Sequence, residues 1–147
     1  MADKSTATSY YVQIGDRVFE QTSSDGLQQL VIEDHVDMVS MLTIRISGAE
    51  GQPKWNFEFG DTVTAKLGVG NTTMFAGEVT SIEPGYQVSG TSSVTIRALD
   101  HIHRLGRGRK TRFWENRMDS DVVKEVGSEC QLSVVADATE GLAPYIL

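Results

Sequence analysis

Three segments alternate apolar and polar residues with a period of two, and this alternation constrains the fold more than any other feature. In Met41–Ser47, Leu42, Ile44 and Ile46 alternate with Thr43, Arg45 and Ser47. In Thr62–Leu67, Val63, Ala65 and Leu67 alternate with Thr62, Thr64 and Lys66. In 93–99, Val94, Ile96 and Ala98 alternate with Ser93, Thr95 and Arg97. Successive side chains of a pleated strand point to opposite faces, so each segment reads as a strand with one buried side. Less regular strand candidates are Tyr10–Ile14, 28–33, 73–82 and 132–135, all rich in β-branched residues. Between them stand turn-forming pairs and triplets: Ser24-Asp25-Gly26, Gly60-Asp61, Gly70-Asn71, Pro84-Gly85 and Ser89-Gly90. Short strands punctuated in this way predict an antiparallel barrel or sandwich. Gly77 lies inside the run Phe75-Ala76-Gly77-Glu78-Val79. A mid-strand glycine marks a bulge or a sharp bend, which favours a curled sheet over a flat one.

The chain of 147 residues is long enough for one domain with an apolar core of its own. No apolar run exceeds three residues, so a membrane-spanning helix and a signal-peptide core are not expected. The polar start, Met1-Ala2-Asp3-Lys4-Ser5-Thr6, predicts a flexible N-terminus over 1–9. One helix is expected, capped by Asp119 or Ser120, with Asp121 in its first turn and Val122, Val123 and Val126 as its apolar stripe. Gly127 should weaken or end it after about three turns. The chain closes on Pro144-Tyr145-Ile146-Leu147, which reads as a strand cut near its start.

Signatures of catalysis are sparse. Cys130 is the only cysteine, which excludes intrachain disulfides and cysteine-based zinc sites. Gly106-Arg107-Gly108-Arg109-Lys110-Thr111 superficially resembles a phosphate loop, but Arg109 stands where the glycine before the lysine is needed. His101 and His103, if extended, would share one side near Asp100 and could seed a metal site, though no third ligand has a matching spacing. His35 reads as an exposed turn residue. Asp119-Ser120-Asp121 lacks the later glycine and glutamate of a calcium loop and is better read as a helix start. Asn71-Thr72-Thr73 matches a glycosylation sequon, which matters only in a secreted chain.

Charge is segregated. Arg104, Arg107, Arg109, Lys110, Arg112 and Arg117 stand against Glu115 alone, a net +5 over 104–117, so a chain of net −7 carries −12 elsewhere. Three readings of this basic segment remain open. It could track a phosphate backbone, with Phe113 and Trp114 as stacking surfaces. It could dock on an acidic partner or on the acidic surface of a sister subunit. It could be a solvated hairpin whose arginine stems cover apolar surface. The acidic remainder disfavours nucleic acid, because long-range steering would be repulsive.

The string Ala98-Leu99-Asp100, then His103-Arg104-Leu105, then Arg107-x-Arg109-Lys110-Thr111-Arg112, resembles the phage late control protein D family. That family includes the VgrG-like and tail-hub proteins of contractile injection machines. Upstream, Phe75-x-Gly77-x-Val79 resembles the strand motif of the family's first barrel. Downstream, Asp119-Ser120-Asp121-Val122 followed by Glu129 and Leu132 resembles its continuation. The resemblance extends from about Val12 to Leu147.

The resemblance implies a mainly β chain: an antiparallel β-barrel of the hub first-barrel type over 10–104, then a segment over 105–147. That second segment would hold a basic hairpin, one short helix and a strand, the start of an α/β insertion that stops short. It implies a structural, non-enzymatic baseplate-hub or spike-adaptor protein, without cofactor. Such a protein joins a tail tube protein to a spike protein through a homotrimer. It would be made in the cytoplasm without a signal peptide and built into a phage tail or injection particle. The second barrel of the family is absent from this sequence. The interaction candidates are Arg104, Arg107, Arg109, Lys110, Arg112 and Trp114, and the structural ones are Gly77, Phe75 and Val79. Two alternatives stand beside this reading: an oligonucleotide-binding barrel using the basic 104–117 segment, and a metal-dependent enzyme using His101 and His103.

Overall fold

A computed structural model of the protein describes residues 9–21, 26–47, 56–68, 72–86 and 92–147. The chain divides into two compact units, Met1–Asp100 and His101–Leu147. The turns expected at Ser24-Asp25, Gly70-Asn71 and Ser89-Gly90, the sequon asparagine and nearly all of the N-terminal segment lie outside the described residues.

Among the described residues the first unit contains seven strands: β1 (Tyr10–Ile14), β2 (Arg17–Glu20), β3 (Leu27–Glu33), β4 (Met41–Ser47), β5 (Thr62–Leu67), β6 (Thr72–Tyr86) and β7 (Ser92–Asp100). They form one sheet in the order β2-β1-β5-β6-β7-β4-β3, with every pairing antiparallel. Residues from opposite ends of that order meet in a single core. Val12, Ile14 and Phe19 of β1 and β2 belong to the same buried cluster as Leu42, Ile44 and Ile46 of β4, and Leu30 and Ile32 of β3 pack against it. A flat sheet could not bring its two ends together, so the sheet curls around its apolar face. The expected fold class, an antiparallel curled β structure followed by one short helix, is the one found.

The alternation resolves as expected. Leu42, Ile44, Ile46, Val63, Ala65, Val94, Ile96 and Ala98 are all buried, and Leu67 is half-buried. Gly60-Asp61 forms the expected turn, with Asp61 N donating to Glu58 O and Glu58 N donating to the Asp61 carboxylate at 2.8 Å. Pro84-Gly85 does not break the chain. Both residues lie inside β6, where Pro84 pairs with Val94 and Gly85 with Ser93. Beyond Val79 the described part of β6 has a ladder partner on one side only, and a one-sided strand tolerates a residue without an N–H.

β6 is the organising strand, 15 residues long and interrupted twice. Against β5 the register skips Met74, and against β7 it skips Thr80. Phe75, Gly77 and Val79 lie between these bulges, buried on the core face. The bulge at Thr80 shifts the inward positions by one, so that Ile82 sits opposite Ile96 and packs on the core. Gly77 is therefore not itself a bulge. It permits close approach: a Cβ there would lie 2.2 Å from Leu99 O and 2.8 Å from Phe75 Cζ.

The second unit contains a 3₁₀ turn (His101–Gly106), β8 (Trp114–Arg117), the helix α1 (Asp119–Glu129) and β9 (Ala143–Ile146). β8 and β9 pair antiparallel, Trp114 opposite Ile146 and Glu115 opposite Tyr145. The basic stretch thus leads into a strand whose partner is the distant β9 rather than folding back as a hairpin. The helix starts where expected, but its N-cap is Met118, which makes no side-chain capping bond. The cap comes from Thr139: its Oγ1 accepts from Ser120 N at 3.3 Å, and its N donates to the Oγ of buried Ser120 at 3.5 Å.

Gly127 does not end the helix. It is buried within it, and an added Cβ would fall 2.0 Å from Val134 Cγ2. The expected strand at 132–135 is absent, because its first residues serve the helix end. Leu132 N donates to Gly127 O and Gln131 N to Ser128 O, with Gln131 at φ 57°, the hydrogen-bond pattern of a left-handed helix stop.

Candidate functional site

The basic segment is organised by the last turns of α1. Glu125 and Glu129 are four residues apart and so lie on the same helix face. Trp114, at the start of β8, donates from its indole Nε1 to Glu125 Oε1 at 3.2 Å. Arg112 grips Glu129 with both terminal nitrogens, Nη2 to Oε2 at 2.5 Å and Nη1 to Oε1. Lys110 Nζ adds a third contact to Glu129 Oε2 at 3.3 Å. The fork of Arg112, and after it the Lys110 ammonium, hold the Glu129 carboxyl down to about 2, and the same carboxylate raises the Arg112 guanidinium.

Arg104 serves the end of the same helix. Its Nη1 reaches Cys130 O at 3.4 Å and Gln131 O at 3.3 Å, placing a positive charge where carbonyls crowd. Arg107 Nη2 donates to His103 Nε2 at 2.7 Å. The remaining cations differ. Arg109 and Arg117 are exposed and make no ion pair among the described residues. Four of the six interaction candidates, Arg104, Lys110, Arg112 and Trp114, thus have partners at α1 and its end, while Arg107 meets His103 and Arg109 faces solvent.

Sequence reasoning missed Glu125 as a partner altogether. The available signal was a pair of acids at helical spacing shortly after a cationic run, but nothing local shows which cation meets which acid.

The histidines do not form a shared face. The condition for a shared face, an extended His101-Ile102-His103, is not met, because these residues open the 3₁₀ turn. At about three residues per turn, positions i and i+2 diverge around the axis. Among the described residues, no three His, Cys, Asp or Glu side chains gather as a metal site. His35 is exposed, as expected of a turn residue. The glycine-arginine run at 106–111 is not followed by a helix, so no ring of helix N–H groups faces it. Asp119 and Asp121 sit in the first turn of α1, where negative charge is favoured. No helix among the described residues is long and apolar enough to cross a membrane.

No protein-family model matches the chain, and no curated protein matches its sequence. Solved structures do match its fold. The 43 kDa tail protein of prophage MuSo2 from Shewanella oneidensis superposes with a TM-score of 0.72 at 13% identity, over 95% of this chain and 45% of that one. A type VI secretion system component from E. coli, the c3393 protein, described as structurally similar to the T4 bacteriophage tail proteins gp27 and gp5, gives 0.64 at 9% identity, over 92% of this chain and 38% of that one. A tail protein from Neisseria meningitidis MC58 gives 0.59 at 11% identity, over 84% and 34%. The chain therefore spans less than half the length of each of these proteins. Identities this low speak to architecture alone, and the architecture of this chain is shared with these tail and type VI secretion proteins.

Proposed function

We propose that this chain is a structural component of a phage tail or related contractile injection machine, acting as a baseplate-hub or spike-adaptor element. The observation that carries the reading is the superposition of nearly the whole chain on a phage tail protein at a TM-score of 0.72. In this reading residues 10–104 form the barrel domain and 105–147 begin an α/β segment. The chain acts by symmetric assembly, three copies joining the tail tube to the spike, with no covalent chemistry and no cofactor.

The physical features are compatible with that role. The sheet ends in two edge strands, β2 and β3, which are natural surfaces for neighbours. The exposed charges are segregated in a way that suits repeated head-to-side contacts. The oligonucleotide-binding alternative draws less support, because Lys110, Arg112 and Trp114 are engaged by Glu129 and Glu125.

The test is composition of the particle. Tail particles purified from cells that encode the chain are analysed by mass spectrometry, and their baseplate end is immunogold-labelled. The expected result is a fixed stoichiometry in multiples of three with label at one tail end. Intact particles that lack the chain would overturn the proposal.

A further inference from the structure

The stretch that follows α1 has the shape of a strand and none of its bonds. Over residues 132–137 half-buried and exposed positions alternate without a break: Leu132, Val134 and Ala136 face inward, Ser133, Val135 and Asp137 outward. A period of two marks extended backbone. Both ends are tied to α1. Leu132 N donates to Gly127 O at 2.9 Å, Val134 fills the notch above Gly127, and Thr139 N donates to Ser120 Oγ at 3.5 Å. Between these anchors no backbone N–H or C=O of residues 133–138 bonds to a described residue. Val135, in the middle, is 97% exposed. A run held extended with its ladder groups open is a template for another strand.

We infer that residues 133–138 pair antiparallel with the same residues of a second copy, about a two-fold axis at Val135. Every copy turns the same row toward α1, so a shared layer must match inward residues with inward ones and outward with outward. Centring the pair on Val135 meets that condition with bonds drawn from the open run alone. It sets Val135 beside its twin, Val134 beside Ala136 and Ser133 beside Asp137. The most exposed apolar side chain of the run is thereby covered, the inward valine lies beside an alanine, and a hydroxyl meets the carboxylate. The two Asp137 carboxylates, the only charges in the run, stand at opposite ends of the pair rather than face to face. Such self-complementarity is what a two-fold contact requires. The contact closes at two copies, so it goes beyond the tail role proposed above, and its few residue pairs make it weak.

Sedimentation velocity and amide exchange followed by NMR, over a concentration series rising to about 1 mM, test it. The wild-type chain is expected to pass from monomer to dimer and no further, and alternate amides of residues 133–138 to gain protection as it does. The protected row then selects the substitution: Val135→Pro for the odd amides, Ala136→Pro for the even ones. That proline should weaken the dimer about a hundredfold, because both copies lose a donor, while the amides of α1 stay protected. With Cys130→Ser as background, Val135→Cys should form a disulfide within the dimer. Ser133→Cys should not, since its twin lies about 13 Å away along the strand. Amides already protected at the lowest concentration would place the occupant within the chain itself and overturn the inference. So would a chain that stays monomeric, a dimer indifferent to the proline, or equal cross-linking at both positions. The tail role is read separately from particle composition: a chain found in tails but monomeric in solution keeps that role and loses the pairing.

Discussion

Substitution of Gly77 tests the fold most directly. The Cβ of an alanine there would stand 2.2 Å from the backbone oxygen of Leu99 and 2.8 Å from the tip of the Phe75 ring. Ordinary contacts to a methyl carbon lie near 3.5 Å, so one neighbour must retreat by about 1 Å. The Phe75 ring can swing, but Leu99 O belongs to β7, which is held by β6 on one side and β4 on the other. Opening that ladder forfeits one or two hydrogen bonds worth about 0.5–1.5 kcal/mol each, and the strain of overpacking adds about 1–3 kcal/mol. Reduced entropy of the unfolded chain returns about 0.4–1 kcal/mol. Gly77→Ala should therefore destabilise by about 2–3 kcal/mol, and Gly77→Val by more. For a domain near 100 residues this lowers the thermal midpoint by about 10–20 °C. Urea unfolding followed by far-ultraviolet circular dichroism gives the value. Gly108→Ala is the control, because its Cβ meets nothing within 4 Å. Adding Phe75→Leu to Gly77→Ala should recover only part of the loss. Full recovery would place the obstruction in the ring rather than the backbone, and a Gly77→Ala midpoint within error of wild type would refute the close-approach reasoning outright.

Three further outcomes follow from the second unit. The Glu129 carboxyl, held down to about 2 by Arg112 and then Lys110 against an ordinary value of 4.5, binds its proton more readily in the unfolded chain. Its contribution is therefore fully present above about pH 4.5 and fades as the pH falls toward 2, which carbon-13 titration of its side chain should show and Glu129→Gln should abolish. Gly127→Ala should push Val134 off the helix at a cost of about 1–3 kcal/mol, seen as faster amide exchange through α1, and adding Val134→Ala should largely reverse it. Thr139→Val should remove the side-chain oxygen that accepts from Ser120 N, costing about 1 kcal/mol, with fraying confined to the first turn in amide-exchange data.

How much of this was legible in the sequence varies with the range of the forces involved. β4 and β5 occur with the expected bounds, because strict alternation is a local signal and a half-buried sheet enforces it, and β1 does so on its β-branched and aromatic content. β2 escaped notice: its four residues bury only Phe19, too few for a period to emerge. β8 and β9 are just as short, and each exists because the other pairs with it across some thirty residues. His101-Ile102-His103 has the polar-apolar-polar look of a strand, yet no partner strand meets it and the backbone coils instead. Leu132-Ser133-Val134-Val135 has strand composition, but its backbone is drawn into the helix stop and Val134 into the notch above Gly127. The cations of the candidate surface could be read directly from the chain. Their division into those held by Glu129 and those left in solvent could not, since it depends on where one helix face comes to lie.

The skipped residue at Thr80 has a consequence for how this chain can vary. Its hydroxyl donates to Arg97 O at 3.3 Å and its backbone has no cross-strand mate in β7, so it acts as a spacer. Deleting that single residue would leave the two halves of β6 in phase, because Val79 already pairs with Ala98, Ser81 with Arg97 and Ile82 with Ile96. Ile82 would still face the core, and Glu83 would still meet Arg97 on the outside. What would go is the local bend that an unpaired extra residue supplies. A one-residue deletion at Thr80 should therefore keep the facing of every side chain and flatten the strand, so the curvature of the wall is set here by one removable residue.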